Sequence, residues 1–233
     1  ELGVLGRVFQ HMAIEIHERE ERLEEQVRVR TAELEQKNGL LKENQRRMEA
    51  ELDAARALQS AILPQSLPVH PAYAGKATMV PARELGGDFY DFFMLDERRL
   101  GIVIADVSGK GVPAAFFMAV ARTVLQASAR DTAAAGECLA AANRLLCEQN
   151  PMDLFVTTFY GILDTVSGVL VYANGGHNPP MVVRRSDGSV MDLPRTGGIA
   201  LGVIAEAKYI ETSISLNGGD TLFLYTDGIS EAM

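Results

Sequence analysis

The chain has 233 residues, of which 47% are hydrophobic and 23% are charged, and its formal net charge is −9. This length accommodates one substantial domain with an extension, and this hydrophobic fraction supports a packed core without disulfides. The acidic balance excludes a typical nucleic-acid-binding protein, because such proteins present a basic face. We therefore expect no nucleic-acid partner.

Cysteine content and hydrophobic runs indicate where the protein works. Its two cysteines, Cys138 and Cys147, lie in an alanine-rich stretch typical of a helix. A disulfide scaffold is therefore not expected, and the reducing cytoplasm is the predicted location. No apolar run reaches the roughly 18 residues that span a bilayer. The chain begins at Glu1 rather than methionine, which indicates a fragment, so the membrane segment of a receptor would lie upstream.

Residues 1–63 contain no proline, and their apolar side chains recur with helical spacing. One seam repeats every seven residues and consists of Val27, Leu34, Leu41, Met48, Ala55 and Ile62. A mostly polar companion seam consists of Thr31, Asn38, Gln45, Leu52 and Gln59. This pattern predicts a long signalling helix that pairs with a second copy as a parallel coiled coil of modest stability. The alternative is a single amphipathic helix that lies on its own domain.

Pro64, Pro68 and Pro71 end this helix and mark a linker at 64–75. In the following segment, 76–233, strands are predicted at 76–79, 88–94, 100–105, 156–164, 169–173, 181–184, 208–214 and 221–225. Two helices are predicted between the third and fourth strands, near 113–130 and 133–148. Strands grouped around a helical pair predict an α+β domain with antiparallel sheets.

Three aspartates lie where a hydrophobic strand meets a glycine turn: Asp88, Asp106 and Asp227. A carboxylate at the end of a buried strand is held rigidly and still reaches water, and a neighbouring glycine lets a ligand approach closely. Several such carboxylates converging would form an oxygen-rich site for Mg²⁺ or Mn²⁺, which suits hydrolysis of a phosphate ester. The structural alternative is that each aspartate merely ends a strand at a turn.

Four motifs of this segment resemble those of one known family. In chain order they are Gly86-Gly-Asp-Phe-Tyr-Asp91, Ala105-Asp-Val-Ser-Gly-Lys-Gly-Val-Pro-Ala114, Asn174-Gly-Gly-His-Asn-Pro-Pro180 and Tyr225-Thr-Asp-Gly-Ile-Ser-Glu-Ala232. Together they are similar to the SpoIIE/RsbU-type branch of the metal-dependent (PPM) serine/threonine protein phosphatases, over roughly residues 55–233. Upstream, Ala54–Pro64 is similar to the helix through which these domains are thought to be switched. Residues 1–16 resemble the end of a HAMP signalling module.

The resemblance implies a β-sandwich flanked by helices, with two Mn²⁺ or Mg²⁺ ions at one end. Asp106 would bridge both ions with the Val107 carbonyl as a further ligand, and Asp88 and Asp227 would each hold one ion. Asp106 and Asp88 are therefore the predicted catalytic residues. The ions would activate a shared water for in-line attack on phosphorus.

Four further residues are predicted to lie close to the site: Gly87, Gly228, Lys110 and His177. Lys110 would attract the phosphate, and the alternative is a solvated lysine in a turn. His177 lies in a glycine-rich turn and is a candidate proton donor. The alternative for His177 is bonding to the backbone of its own loop.

The chain departs from the family pattern in two places. The sequence stops at Met233, before the late strand that carries one more metal-binding aspartate in relatives, so we expect an incomplete domain with one weakly bound ion and an exposed sheet edge. The wider family places a proton-donating histidine two residues after the bridging aspartate, where this chain has Ser108. The proton for the leaving group would then come from water or from another residue.

Other signatures match only in part. Cys138 and Arg144 have the spacing of cysteine phosphatases, but the residues between them are typical of a helix and not of a phosphate-binding loop. Ser108-Gly-Lys-Gly111 lacks two residues that a nucleotide-binding P-loop requires. The enzymatic alternative is a GGDEF-like nucleotide cyclase, whose signature has glutamate where this chain has Phe89. The alternative of another class is a non-catalytic dimerisation or partner-binding module.

The resemblance also implies a partner and a mode of control. The substrate would be a phosphorylated anti-sigma-factor antagonist of the STAS type, in a bacterial partner-switching pathway. A homodimeric coiled coil would move Ala54–Leu63, and this helix would reposition the strands that hold Asp88 and Asp106.

Overall fold

The computed structural model describes residues 2–80, 85–148 and 150–230. Glu1 in the HAMP-like segment and residues 231–233, which include the end of the last motif, lie outside the described residues. The chain divides into two compact units, Glu1–Leu52 and Asp53–Met233. Helix α1 (Leu2–Ile62) accounts for the first unit and continues into the start of the second.

The first unit is a helix whose described side chains are almost all exposed. Its charged residues pair along the helix, as in the contact of 2.7 Å between Arg28 Nη2 and Glu25 Oε1. The apolar seam is uncovered in the single chain, because Val27, Leu34 and Leu41 are 63%, 61% and 65% exposed. This helix therefore has an apolar stripe but no described core of its own.

The second unit is an α+β domain, as the sequence predicts. Its elements are β1 (Phe89–Met94), β2 (Arg99–Val107), α2 (Val112–Asp131), α3 (Ala135–Glu148), β3 (Val156–Asp164), β4 (Val169–Gly175), β5 (Met181–Val183), β6 (Val190–Asp192), β7 (Glu211–Ser215), β8 (Thr221–Phe223) and α4 (Asp227–Ser230). All strand pairs are antiparallel. They form a five-stranded sheet in the order β1-β2-β3-β4-β7 and a three-stranded sheet in the order β6-β5-β8.

Two cores cover the two faces of the five-stranded sheet. One lies between this sheet and helices α2 and α3, and includes Phe89, Met118 and Leu139. The other lies between the two sheets and includes Phe159 and Tyr172. Because side chains alternate along a strand, the three middle strands, β2, β3 and β4, contribute to both cores. The result is a β-sandwich with helices on one outer face.

Helix α2 corrects one expectation. In the part of the chain that the structure describes, it is the one helix that is long and apolar enough, by length and composition, to cross a membrane. The hydrophobic pattern of the sequence predicts no such run. Its apolar residues have a different role here, because Phe117, Met118 and Leu125 are buried in the core between helices and sheet.

Three details differ from the sequence predictions. Residues 76–79 do not form a strand, and the short strand β6, whose residues are all exposed, was not predicted. The heptad pattern assigned Gln59 to the dimer seam, whereas it is only 5% exposed and packs within the second unit. Its side-chain amide donates to the Gly86 carbonyl at 2.6 Å and accepts from the Gly86 N–H at 3.2 Å.

Candidate active site

Strand register places two of the predicted aspartates side by side. Phe89 of β1 pairs with Ala105 of β2. Asp88, which directly precedes β1, and Asp106, which follows Ala105, therefore lie at the same end of this antiparallel ladder. Asp106 in turn pairs with Thr157 of β3. Directly opposed residues point to the same face of a sheet. That face is the one covered by the second sheet, because Ile104, two residues before Asp106, packs into the core between the sheets.

The second sheet supplies the remaining group from the opposite side. After β8 the chain turns into Thr226 and α4, which begins at Asp227. The Thr226 hydroxyl donates to Oδ2 of Asp88 over 2.6 Å, although the two residues are 138 positions apart. This bond brings the segment carrying Asp227, which is exposed, to the end of the sandwich that carries Asp88 and Asp106.

His177 ties the two sheets together at this end. Its ring is buried, with Nε2 at 3.1 Å from the Tyr225 carbonyl and Nδ1 at 2.9 Å from the Thr157 hydroxyl. A carbonyl only accepts, so Nε2 carries the proton and Nδ1 accepts from Thr157. Burial lowers the pKa of His177, against smaller opposing effects of the Tyr225 carbonyl and the charges of Asp88 and Asp227. The neutral ring therefore orients groups from two other segments, and both its nitrogens are bonded, whereas the alternative of bonding to its own loop does not describe these ring contacts.

Gly87 is required by a close approach of two backbones. A Cβ on Gly87 would lie 2.8 Å from the Val107 carbonyl oxygen and 3.5 Å from the Cβ of Ala114 in α2. The absence of a side chain therefore brings β1 and the Val107 carbonyl together beside Asp88. Gly228 has no such constraint, because the nearest atom to a Cβ there would be the Thr226 hydroxyl at 3.8 Å.

The turn after β2 leads from Asp106 into α2. Lys110 is exposed between Gly109 and Gly111, both with positive φ angles of 89° and 78°. Ser108 is bonded to Phe155 in both directions: the Ser108 N–H donates to the Phe155 carbonyl at 2.8 Å, and the Phe155 N–H donates to the Ser108 hydroxyl at 2.9 Å. The turn is thus fixed to the start of β3 while Lys110 remains accessible to an anion.

The oxygen donors at this end match divalent Mg²⁺ or Mn²⁺ in kind. Carboxylates and a main-chain carbonyl are the ligands these hard cations prefer. Gly87 places the Val107 carbonyl oxygen close to the backbone beside Asp88, since a Cβ there would lie 2.8 Å from that oxygen. Within the described residues, however, no three His, Cys, Asp or Glu side chains form one group able to hold a metal. The assignment of Asp88, Asp106, Val107 and Asp227 as ligands therefore stays a prediction.

The partial matches to other enzymes fail on geometry. Cys138 is buried within α3, where burial raises the pKa of its thiol to about 12, and Arg144 is exposed on the same helix. A protonated, enclosed thiol is not a nucleophile for phosphate. Phe89, which stands in the position of the GGDEF glutamate, is 2% exposed in the core under the helices.

Sequence reasoning missed two hydroxyl groups of the site: that of Thr226, which bonds Asp88, and that of Thr157, which bonds His177. Thr226 directly precedes Asp227 in the last motif, and Thr157 is the second residue of β3. A hydroxyl beside a predicted ligand was the available signal for Thr226. No local signal identifies Gln59, because its partner Gly86 is 27 residues away.

The chain is similar to known proteins. A family model described as "Stage II sporulation protein E (SpoIIE)" matches residues 96–233. Protein IcfG of Synechocystis sp. is 32% identical over 209 residues, covering 78% of this chain and 33% of that protein. Phosphoserine phosphatase RsbU of Bacillus subtilis is 29% identical over 196 residues, covering 84% of this chain and 58% of that protein. The chain thus spans between a third and three fifths of the length of these relatives.

Solved structures show the same fold. The RsbU and RsbW domains of Rv1364c from Mycobacterium tuberculosis match with a TM-score of 0.57 and 34% identity, over 65% of this chain and 42% of that one. The SiaA-PP2C domain of Pseudomonas aeruginosa matches with a TM-score of 0.63 and 20% identity, over 79% and 73% of the two chains. The family model matches more than half of the residues of this chain. The chain therefore belongs to the SpoIIE family, with the PP2C-type fold of phosphatases.

Proposed function

We propose that this chain is a Mn²⁺- or Mg²⁺-dependent phosphatase domain that hydrolyses phosphoserine or phosphothreonine on a partner protein. The observation that carries the proposal is the grouping of Asp88, Asp106 and the Asp227 segment at one end of the sandwich. Two relatives named phosphoserine phosphatases, RsbU and RsbP of Bacillus subtilis, support this activity.

Each residue of the site has a distinct task in this mechanism. Asp106 with the Val107 carbonyl, Asp88 and Asp227 would hold two divalent ions, which would supply an activated water and neutralise phosphate charge. Thr226 fixes the orientation of Asp88 through its hydrogen bond. Lys110, exposed beside the site, attracts the phosphorylated substrate by its charge. The proton for the leaving oxygen comes from water, because both ring nitrogens of His177 are already bonded.

The substrate class follows from the relatives and not from the geometry of the site. We assign a phosphorylated anti-sigma-factor antagonist of the STAS type as the substrate, in a partner-switching pathway located in the cytoplasm. A solved structure similar to this chain combines RsbU and RsbW domains, which supports a role among partner-switching proteins. An upstream membrane segment would make the chain the cytoplasmic part of a receptor.

Control through a homodimer is the second part of the proposal. The exposed seam of α1, with Leu34 and Leu41 each more than 60% exposed, would be covered by the same seam of a second copy. Within the second unit, Gln59 of α1 holds both backbone groups of Gly86, next to Gly87 and Asp88. A movement of this part of the helix would therefore reach the first aspartate through two hydrogen bonds.

The coiled-coil part is tested by removing polar seam residues. Replacing Asn38 and Gln45 with leucine should strengthen dimerisation, measured by analytical ultracentrifugation, and should change phosphatase activity. As a control, Gln59→Leu removes the two hydrogen bonds to Gly86. This variant should change phosphatase activity while the affinity of the dimer stays the same. Tighter association with level activity in the seam variant would contradict mechanical control.

The enzymatic part is tested with a phosphoserine peptide and added Mn²⁺. We expect release of phosphate that requires the metal and stops with EDTA, for this chain or for a chain extended beyond Met233. A non-catalytic partner-binding module is the second candidate function, favoured by the lack of a three-residue metal group among the described side chains. Absence of metal-dependent turnover in both chains would support that second candidate.

A further inference from the structure

A buried ion pair lies under helix α2, on the opposite face of β1 from the candidate site. Asp91 of β1 is 2% exposed, and its neighbours on the same face, Phe89 and Phe93, are buried core residues. Arg122 of α2 places Nη2 at 3.0 Å from Oδ2 of Asp91, and their side chains are 17% and 3% exposed. Neither residue was singled out by the sequence, although Asp91 ends the first motif.

The Asp91–Arg122 contact is an ion pair that holds the two side chains in one arrangement. The other oxygen of Asp91, Oδ1, accepts the Phe92 N–H at 2.9 Å. Oδ2 of Asp91 and Nε of Arg122 make no hydrogen bond with the described residues, although the two charged groups touch. A buried charge without its counter-charge is costly, so each residue depends on the other. The pair therefore allows α2 only a narrow range of positions along β1.

The two elements joined by this pair are those that carry the candidate ligands. β1 begins directly after Asp88, and α2 begins at Val112, after the turn that follows Asp106 and Val107. The first turn of α2 also packs on the site, because Ala114 is 1% exposed and lies 3.5 Å from the position of a Cβ on Gly87. A shift of α2 along β1 would therefore alter the approach of Gly87 to the Val107 carbonyl.

We propose that the Asp91–Arg122 ion pair is a positioning device for the metal site. It fixes α2 against β1 and thereby holds Gly87, Asp88 and the Val107 carbonyl at their mutual distances. This inference rests on the proposed function, because it assumes that these groups bind Mn²⁺ or Mg²⁺. Partners that orient metal ligands from outside typically change metal affinity by about 10- to 100-fold when removed.

The molecule offers a matched control at the other end of the sandwich. Arg184 Nη1 lies 2.6 Å from Oδ2 of Asp220, and the side chains are 20% and 2% exposed. The side chains of this pair are as buried as those of Asp91 and Arg122. Asp220 lies directly before β8, whereas Asp227 lies after β8, so this pair is at the end of the strand away from the candidate site. Arg184→Gln should therefore lower thermal stability without changing affinity for Mn²⁺.

The experiment measures Mn²⁺ binding directly, by the loss of the free-ion EPR signal, together with melting temperature. Arg122→Gln and Asp91→Asn should each weaken binding by about tenfold, and Arg122→Lys, which keeps the charge, should restore most of it. Should the single variants fail to fold, the double variant Asp91→Asn with Arg122→Gln leaves no buried unpaired charge and serves the same comparison.

The outcomes separate this inference from the function on which it rests. If the unaltered protein binds Mn²⁺ and Asp106→Asn does not, the proposed site stands. If Arg122→Gln then binds as tightly as the unaltered protein and only melts earlier, like Arg184→Gln, the positioning role is refuted. If the unaltered protein binds no Mn²⁺, the proposed function falls first and the inference falls with it.

Discussion

The five-stranded sheet carries aspartates at both ends of its strands. The carboxylates accept hydrogen bonds from different kinds of donor at the two ends. At one end, Asp96 accepts the N–H groups of Arg98 and Arg99, each at 2.8 Å, and Asp164 accepts those of Val166 and Ser167. These are local turn contacts, and the backbone donors hold the pKa of both carboxyls below its ordinary range. At the other end, Asp88 accepts from Thr226, which belongs to the opposite sheet.

The comparison separates structural aspartates from candidate ligands. A turn aspartate is satisfied by residues two or three positions further along the chain, so its position tells little about function. Asp88 and Asp106 are instead next to each other across the ladder, and a residue from a distant segment, Thr226, orients Asp88. The origin of the bonding partners therefore distinguishes the two cases.

The largest expected effect comes from removing one carboxylate at each end. Asp106→Asn should lower phosphatase activity by about a thousandfold, because several kcal/mol of transition-state stabilisation depends on the metals it would bridge. Asp164→Asn, at the far end, should leave activity within about twofold and change only stability. Steady-state turnover of a phosphoserine peptide at saturating Mn²⁺ checks both. Equal losses in the two variants would refute the distinction between the ends.

A smaller effect is expected from adding one methyl group at each end. Gly87→Ala places a Cβ against the Val107 carbonyl and should destabilise the fold by about 1–3 kcal/mol. Gly218→Ala, in the turn before Asp220, meets no atom within 4 Å and should change stability by less than about 0.5 kcal/mol. Urea unfolding measures both values. A harmless Gly87→Ala would show that the close approach is not required.

The smallest effect concerns the acid stability of the two ends. Because the pKa of His177 is lowered by burial, its contribution to the free energy of unfolding is complete above pH 6.5 and declines as the pH falls below it. Asp96 and Asp164 have lowered pKa values too, so their contribution is lost only below pH 3.8.

Replacement of the histidine separates these two pH ranges. His177→Gln should cost about 1–2 kcal/mol at pH 7.5 by disturbing two buried hydrogen bonds, and it should flatten the decline below pH 6.5. Denaturant unfolding at several pH values provides the measurement. An unchanged slope in that range would mean that His177 is not the neutral orienting group described above.

The sequence predicted most strands and helices but not their long-range partners. Strand β3 was predicted with its observed bounds because hydrophobic and β-branched residues mark it locally. The predicted strand at 76–79 is wrong, since β-propensity there finds no partner strand, and the exposed β6, at three residues, is too short to show a pattern. Whether a short or edge segment forms a strand depends on its pairing with a neighbouring strand, and the local sequence pattern does not show that pairing.

The same limit applies to the candidate site. Asp88, Asp106 and Gly87 were identified because glycines flank strand ends in the sequence. The contacts of Asp88 with Thr226 and of Asp91 with Arg122 join residues far apart in the chain, so neither was visible before the sheets were assembled. The heptad pattern placed Gln59 in the dimer seam because periodicity does not reveal that the end of α1 packs on Gly86.

The central claim is that the carboxylates at the Asp88–Asp106 end, and not those at the Asp96–Asp164 end, hold divalent cations. Anomalous diffraction from crystals grown with Mn²⁺ tests it most directly. The account predicts manganese peaks coordinated by Asp88 and Asp106 beside the Val107 carbonyl. Manganese bound only at Asp96 and Asp164, or no peak at either end in protein that dephosphorylates the peptide, would contradict it.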